Sequence, residues 1–234
     1  MDKIYGRKPV LDSLDTDIKI YKAYIQKQNS KLVDTIIKKL EEKNIEISFV
    51  DKRFFDKIDM NHQGVMLEVE SFKYATMDDV KDANRLIILD KIEDPHNLGA
   101  IIRSAESFGF DGVIIPERRS ASVTSTVYKT SAGAINNIKV IRVTNLTRTI
   151  KDLKDMGFWI YGLAGEADSD ISKADLKGKV TLVIGNEGEG ISRLVRENCD
   201  MLINIPMLGK VNSLNASVAA GISMYELLRQ NGFN

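Results

Sequence analysis

The sequence predicts an α/β protein in two parts, a small α/β unit ahead of a larger domain built on a parallel sheet. Two observations carry that prediction. From Arg85 onward, short runs rich in Val, Ile and Leu alternate with amphipathic helical stretches, the pattern of a parallel sheet covered on both faces. Before residue 73, polar–apolar alternation and one helical stripe share a segment of domain size, and residues 73–84 are polar without a sustained period. At 234 residues and 43% hydrophobic, the chain can bury one large core or two modest ones.

The first part, placed at residues 1–72, opens its pattern with Asp17–Ile25, which alternates as a half-buried strand does. Ser30 is placed to cap a helix whose apolar positions Leu32, Val33, Ile36, Ile37 and Leu40 fall at helical spacing. Ile45–Val50 alternates again, and Val65–Glu70 makes a third strand after the turn Asn61-His62-Gln63-Gly64. Residues 73–84 are expected to link the two parts. In the second part, 85–234, strands are expected at Leu86–Leu89, Gly112–Ile115, Ile138–Val143, Phe158–Leu163, Val180–Ile184 and Met201–Ile205. Helices are expected at Leu98–Phe108, Ser122–Ala134, Leu146–Met156, Ser192–Asn198 and Leu214–Arg229. Ligands of such sheets bind at the carboxyl ends of strands, which points to the loops after Leu89, Leu163, Ile184 and Ile205.

Lys+Arg and Asp+Glu balance at 33 each, so the chain as a whole exerts no electrostatic pull on nucleic acid. Any RNA contact must come from a local patch, for which Lys8, Lys27, Lys52, Arg53, Arg118, Arg119 and Lys129 are candidates. Cys199 is the only cysteine, which excludes an intrachain disulfide and a thiolate zinc cluster, and its apolar-periodic surroundings read as a buried, reduced thiol. His62 and His96 adjoin turn residues and read as turn histidines, so no metal site is expected. The start MDKIYGRKPV lacks the pattern of a secretory signal, and no stretch approaches the ~20 apolar residues needed to span a bilayer. A soluble, cytoplasmic protein is expected.

Three blocks carry chemistry. In Asp94–Ser104, Pro95 and Asn97 mark the turn out of a strand, with Asn97 placed to cap the next helix and Arg103 off its apolar face. In Leu182–Ser192 a buried strand runs into a turn with glycines at 185, 188 and 190, a G-x-x-G-x-G spacing unlike the nicotinamide fingerprint. Glu187 and Glu189 would repel a pyrophosphate, so the turn suits a ligand without phosphates. In Ile203–Ile222 a strand ends at Pro206, and Ser213 or Asn212 is placed to cap a last helix of small residues. Capping and tight packing explain each block singly, but not Ser213, Asn215 and Ser217 crowded at one helix start.

Asn97 to Arg103, the Gly185-Asn186-Glu187 turn, and Ile205-Pro206-Met207 through Ser213-Leu214-Asn215-Ala216-Ser217 together resemble the three motifs of the SpoU/TrmH branch of the SPOUT methyltransferases. The likeness spans residues 84–234. The N-terminal part, with Ile4-Tyr5-Gly6 and His62-Gln63-Gly64-Val65, resembles the ribosomal-protein-L30e-like substrate-binding domain of longer members. Among these it is most similar to the bacterial type that methylates a guanosine ribose in 23S ribosomal RNA. The resemblance implies a parallel sheet with a deep trefoil knot, a homodimer, S-adenosyl-L-methionine as cofactor, and metal-free methyl transfer to a ribose 2′-hydroxyl of RNA. It implies cofactor contacts from Leu163, Ala164, Gly165, Gly185, Gly190, Ile205, Met207 and Leu214, and places Asn97, Arg103, Glu187, Ser213 and Asn215 at the catalytic polar positions. For Arg103 two roles stand open: general base, which a guanidinium fills with difficulty, and a grip on the RNA phosphate at the reacting nucleotide. The rival readings are the same chemistry on transfer RNA, and an RNA-binding assembly factor without catalysis. The second is disfavoured because all five polar positions are filled.

Overall fold

The computed structural model describes residues 1–28, 30–58, 61–210 and 213–232. They form two compact units, Met1–Lys73 with Val123–Lys129, and Tyr74–Ser122 with Thr130–Asn234.

The first unit contains strands β1 (Asp2–Tyr5), β2 (Ile20–Gln26), β3 (Glu46–Val50) and β4 (Val65–Val69), and helices α1 (Arg7–Leu14), α2 (Lys31–Glu42) and α3 (Lys52–Phe55). Its sheet runs β1-β4-β2-β3, with β2 and β3 parallel and the other pairs antiparallel. Period-2 alternation in β2 sends Ala23 and Ile25 to one face, where Val33, Ile36 and Leu40 of α2 and Val10 and Leu14 of α1 close the core. Sequence patterning does not find β1, α1 or α3. At four residues, β1 and α3 are too short to show a period. In α1, Pro9 falls within the first turn, where its missing N–H leaves no bond unmade. Ser30 stands at the N-cap of α2 as expected, yet its side chain makes no capping bond. Its hydroxyl instead accepts from Arg7 Nη1 at 3.3 Å.

The second unit is built on β5 (Arg85–Asp90), β6 (Gly112–Pro116), β7 (Lys139–Val143), β8 (Trp159–Leu163), β9 (Val180–Gly185) and β10 (Met201–Ile203), and on α4 (Pro95–Ser107), α5 (Ser125–Ser131), α6 (Leu146–Asp155), α7 (Arg193–Glu197) and α8 (Ala216–Asn231). The stretch holding the first five residues of α5 groups with the first unit. All six expected strands are present in one sheet, ordered β10-β8-β9-β5-β6-β7, and every neighbouring pair is parallel. Leu86–Leu89 of β5 are fully buried, as expected of a central strand covered on both faces.

Residues 73–84, expected as a linker, are folded into this unit from Tyr74 on. Ala75 N–H donates to the Val140 carbonyl at 2.9 Å, Thr76 and Asp79 form a reciprocal cap on the 3-10 turn Met77–Val80, and Val80 is buried in the core. One turn of helix is too short to generate a period, so pattern reading sees only polar residues.

Two helix starts differ from expectation. α4 begins at Pro95, and its cap is Asp94, whose carboxylate accepts from His96 N–H at 2.8 Å. Pro95, with its fixed φ and no N–H to satisfy, supplies the first helical position. Asn97 therefore lies inside the first turn, and its side chain is free for another use. At α8 the cap is Asn215, whose Oδ1 accepts from Ser217 N–H at 2.9 Å and Val218 N–H at 3.4 Å. Ser213 lies two residues ahead of that cap, and Asn212 lies outside the described residues.

Candidate active site

Three segments meet at the carboxyl ends of β8, β9 and β10. The loop after β8 begins at Ala164, whose N–H donates to the Ile203 carbonyl at 3.0 Å. The loop is held further along by Asn204 N–H on the Ser169 carbonyl at 2.8 Å and by Asn204 Nδ2 on the Ala167 carbonyl. The turn after β9 folds on itself. Gly190 N–H donates to the Asn186 carbonyl at 2.8 Å, and Asn186 Oδ1 accepts from Gly188 N–H at 2.8 Å. Gly185 and Gly190 are so close that a Cβ on Gly185 would stand 2.1 Å from the Gly190 carbonyl carbon, a contact only glycine permits. The exit of the turn is anchored to β5 by the buried Asp90, whose Oδ2 accepts from Ser192 N–H at 2.7 Å.

Between these segments lies a cavity of about 690 Å³. All eight residues named for the cofactor line it: Leu163, Ala164 and Gly165 from the first loop, Gly185 and Gly190 from the turn, and Ile205, Met207 and Leu214 from the segment before α8. Glu187 and Ser213 line it as well.

Glu187 is the hub of a polar network. Its Oε1 accepts from Asn97 Nδ2 at 2.5 Å, from Asn215 Nδ2 at 3.4 Å and from Ala216 N–H at 3.3 Å. Asn215 Nδ2 also donates to Asn97 Oδ1 at 3.0 Å. Asn97 is buried, so its amide needs these partners, and it gets them only because Asp94 has taken over the capping. Three of the five expected catalytic residues, one from each block, are thus joined by hydrogen bonds.

Arg103 is not brought to the cavity. Six residues beyond Asn97 on α4, it sits roughly 9 Å along the axis and about 120° around it. It is exposed and has no bonding partner among the described residues.

Pattern reading missed two further charged residues of the lining, Glu166 in the loop after β8 and Arg196 of α7, which bond to each other. Glu166 directly follows the flagged Leu163–Gly165 run, so its place was inferable; Arg196, in a short helix of ordinary composition, gave no signal. The Glu166 carboxyl is held below the usual carboxylate range by its own backbone N–H and by Arg196. Lys91, bonded to Glu189 at 2.8 Å, depresses that carboxyl too. Cys199 packs against the core and donates to the Val195 carbonyl at 3.4 Å, and burial pushes its thiol up to about 12, which rules it out as a nucleophile near neutral pH. His62 Nδ1 accepts from Gly64 N–H at 3.0 Å within its turn, and its ring stacks on Phe55. Among the described residues, no group of three or more His, Cys, Asp or Glu side chains is arranged to hold a metal ion.

Comparison with known proteins places this arrangement. Residues 84–225 match the SpoU rRNA methylase family, and residues 3–75 match the substrate-binding domain of RNA 2′-O ribose methyltransferases. The chain belongs to the SpoU rRNA methylase family. A Bacillus subtilis relative, YacO, assigned to the TrmH family of tRNA/rRNA methyltransferases, is 42% identical over 98% of this chain and 96% of its own. Among solved structures, the AdoMet-bound rRNA methyltransferase of Sinorhizobium meliloti superposes with a TM-score of 0.65 at 26% identity, covering 97% of this chain and 86% of that one. The SpoU methyltransferase AviRb of Streptomyces viridochromogenes, also in complex with AdoMet, gives a TM-score of 0.67 at 23% identity over 97% and 89%. Among the described residues of this SpoU family member, no helix is long and apolar enough to cross a membrane.

Proposed function

We propose that the protein transfers a methyl group from S-adenosyl-L-methionine to a ribose 2′-hydroxyl of RNA, the target being a guanosine of 23S ribosomal RNA. The observation that carries this reading is the Asn97–Glu187–Asn215 network, whose Glu187 lines a cavity that suits the cofactor. Among the described residues, the charged side chains of the lining are three carboxylates and one guanidinium, which favours a cationic ligand over a polyphosphate. The remaining walls are mostly apolar groups and loop backbone, suited to an adenine and a soft sulfonium cation. Leu163, Ala164, Gly165, Gly185, Gly190, Ile205, Met207 and Leu214 would hold it. When bound, the cofactor supplies an electrophilic methyl carbon.

The chain's own residues do the rest by positioning, which contributes on the order of 7–11 kcal/mol in good geometry. Glu187, fixed by Asn97, Asn215 and the Ala216 amide, holds the glycine turn against the start of α8. That keeps two walls of the cavity in register. Ser213, on the lining ahead of α8, orients the ribose. Arg103, exposed and unengaged, grips the RNA phosphate beside the reacting nucleotide. A guanidinium stays protonated at neutral pH, so Arg103 grips the phosphate instead of taking the hydroxyl proton, which passes to solvent, aided by a phosphate oxygen, as the oxygen–methyl bond forms. The backbone of the second unit is knotted as a trefoil around the cofactor in this reading, and the protein acts as a homodimer. Support for the dimer comes from Val218, Ile222 and Tyr225, which lie along one face of α8 and are exposed. The match of residues 3–75 to the substrate-binding domain of RNA 2′-O ribose methyltransferases supports RNA as the substrate.

The test is methyl incorporation from tritiated cofactor into unmodified 23S RNA, 16S RNA and transfer RNA, with the product located by its resistance to alkaline cleavage. Incorporation into 23S RNA is expected. Incorporation into transfer RNA alone would reassign the substrate, and cofactor binding without incorporation into any RNA would favour an assembly factor.

A further inference from the structure

Four charged side chains line the cavity among the described residues: Glu166, Glu187, Glu189 and Arg196. Glu187 is engaged by Asn97, Asn215 and the Ala216 amide, and Glu189 is paired with Lys91, which lies outside the lining. The remaining two, Glu166 and Arg196, are bonded to each other and stand with side chains 61% and 39% exposed. An ion pair so open to water is worth only about 0–1 kcal/mol and rearranges at little cost. The scaffold beneath it is firm. Arg196 N–H donates to the Ser192 carbonyl at 2.9 Å, Ser192 N–H is held by the buried Asp90, and the neighbouring Val195 is packed into the core.

We propose that Arg196 and Glu166 form the subsite for the α-amino-acid head of the cofactor, the guanidinium taking its carboxylate and the Glu166 carboxylate taking its ammonium. The proposal rests on the reading that the cavity binds S-adenosylmethionine. An α-amino acid carries an anion and a cation on one carbon, so its complement needs opposite charges side by side. Among the described residues of the lining, only this pair supplies them. Arg196 is the lining's one cation among the described residues, and without it the ligand carboxylate faces three carboxylates. The planar fork of an arginine also matches a carboxylate in two parallel hydrogen bonds. Binding replaces the Arg196–Glu166 contact with two ligand contacts of the same sign pattern, leaving the local charge balanced.

The test compares calorimetric binding of S-adenosylhomocysteine, which carries the head group, with that of 5′-methylthioadenosine, which lacks it, to the full chain. Arg196→Gln is expected to weaken S-adenosylhomocysteine at least tenfold and leave methylthioadenosine within twofold. Arg196→Lys should recover part of the loss, and Glu166→Gln should weaken the same ligand selectively. Methylthioadenosine binding doubles as the control for folding. Equal weakening of both ligands, or no change in either, would overturn the subsite while leaving the cofactor reading intact. Failure of the unmodified protein to bind either ligand would overturn both.

Discussion

Asn97 and Arg103 share one helix and meet opposite surroundings, so substituting them separates structure from chemistry. Asn97 is buried and both bonds Glu187 and accepts from Asn215; Asn97→Ala strips partners from both and is expected to cost about 1–3 kcal/mol in urea unfolding. Arg103 is exposed and bonds nothing among the described residues, so Arg103→Ala should leave stability within about 0.5 kcal/mol. In the proposed mechanism it abolishes methyl transfer and leaves cofactor binding unchanged; loss of cofactor binding in this variant would contradict the phosphate-gripping role. Cys199 gives a second residue-scale expectation. Burial raises its thiol from the ordinary 9 to about 12, so between those values the folded chain holds a proton that the unfolded chain has lost. That contribution to stability is complete below about pH 9 and disappears as the pH climbs toward 12. Urea midpoints measured across that range should fall more steeply for the native chain than for Cys199→Ala, and iodoacetamide at pH 8.5 should modify Cys199 only after unfolding.

The turn that closes β9 shows what a pattern of glycines reveals and what it hides. Its spacing separates it from a dinucleotide site, but spacing alone does not tell which of the three glycines is needed for a close approach and which for a positive φ. Their surroundings differ. A Cβ at Gly185 would collide with the Gly190 backbone at 2.1–2.3 Å, Gly190 takes a φ of +67° with open space around it, and Gly188 would only touch Asn186 Oδ1 at 3.4 Å. Expected costs follow that order: Gly185→Ala at least 1–3 kcal/mol with loss of the cavity wall, Gly190→Ala about 1–2, and Gly188→Ala within roughly 0.5. Thermal melting of the three variants, with S-adenosylhomocysteine binding measured alongside, checks the ranking, and a fully folded, ligand-binding Gly185→Ala protein would refute it. The same contrast runs through the other elements. All six strands of the second unit were legible, because central parallel strands are unbroken apolar runs. The edge strand β1 and the one-turn helix α3 were not, since four residues hold no period. The sequence places Asn97 as a cap because it precedes the apolar stripe of α4. Asp94-Pro95 was the stronger start signal, and the misplaced start concealed that Asn97 reaches Glu187, 90 positions away in sequence. Gathering the eight residues expected to contact the cofactor around one cavity needed the three-dimensional path of the chain, although the family resemblance had already named each of them.

At the scale of the whole molecule, a net charge of zero means that neither RNA nor a second copy is drawn in by long-range attraction, so association rests on local surfaces. In the proposed homodimer, the surface that bears on self-association is the exposed face of α8. Val218, Ile222 and Tyr225 recur at intervals of four and three residues, which puts them on one stripe, and they are 48%, 40% and 48% exposed. A helix that needed only to cover its own sheet would place polar residues there. In a two-fold pair the stripe is used twice, so each side chain's remaining exposed area counts once from each copy. Fully burying a Val, Ile or aromatic side chain contributes about 1.5–3 kcal/mol, and roughly half of that is still available to each of these. Six such half-contributions supply a favourable term comparable with the 8.2 kcal/mol of a micromolar complex, before the cost of association is subtracted and the surrounding contacts are added. Sedimentation at micromolar concentration is expected to show a dimer. Ile222→Asp, which would bury a charge with no partner at the centre of the stripe, is expected to give a folded monomer with an unchanged circular dichroism spectrum. A wild-type protein that sediments as a monomer at tens of micromolar, or an Ile222→Asp variant that remains dimeric, would remove α8 as the interface and leave its exposed stripe without a physical account.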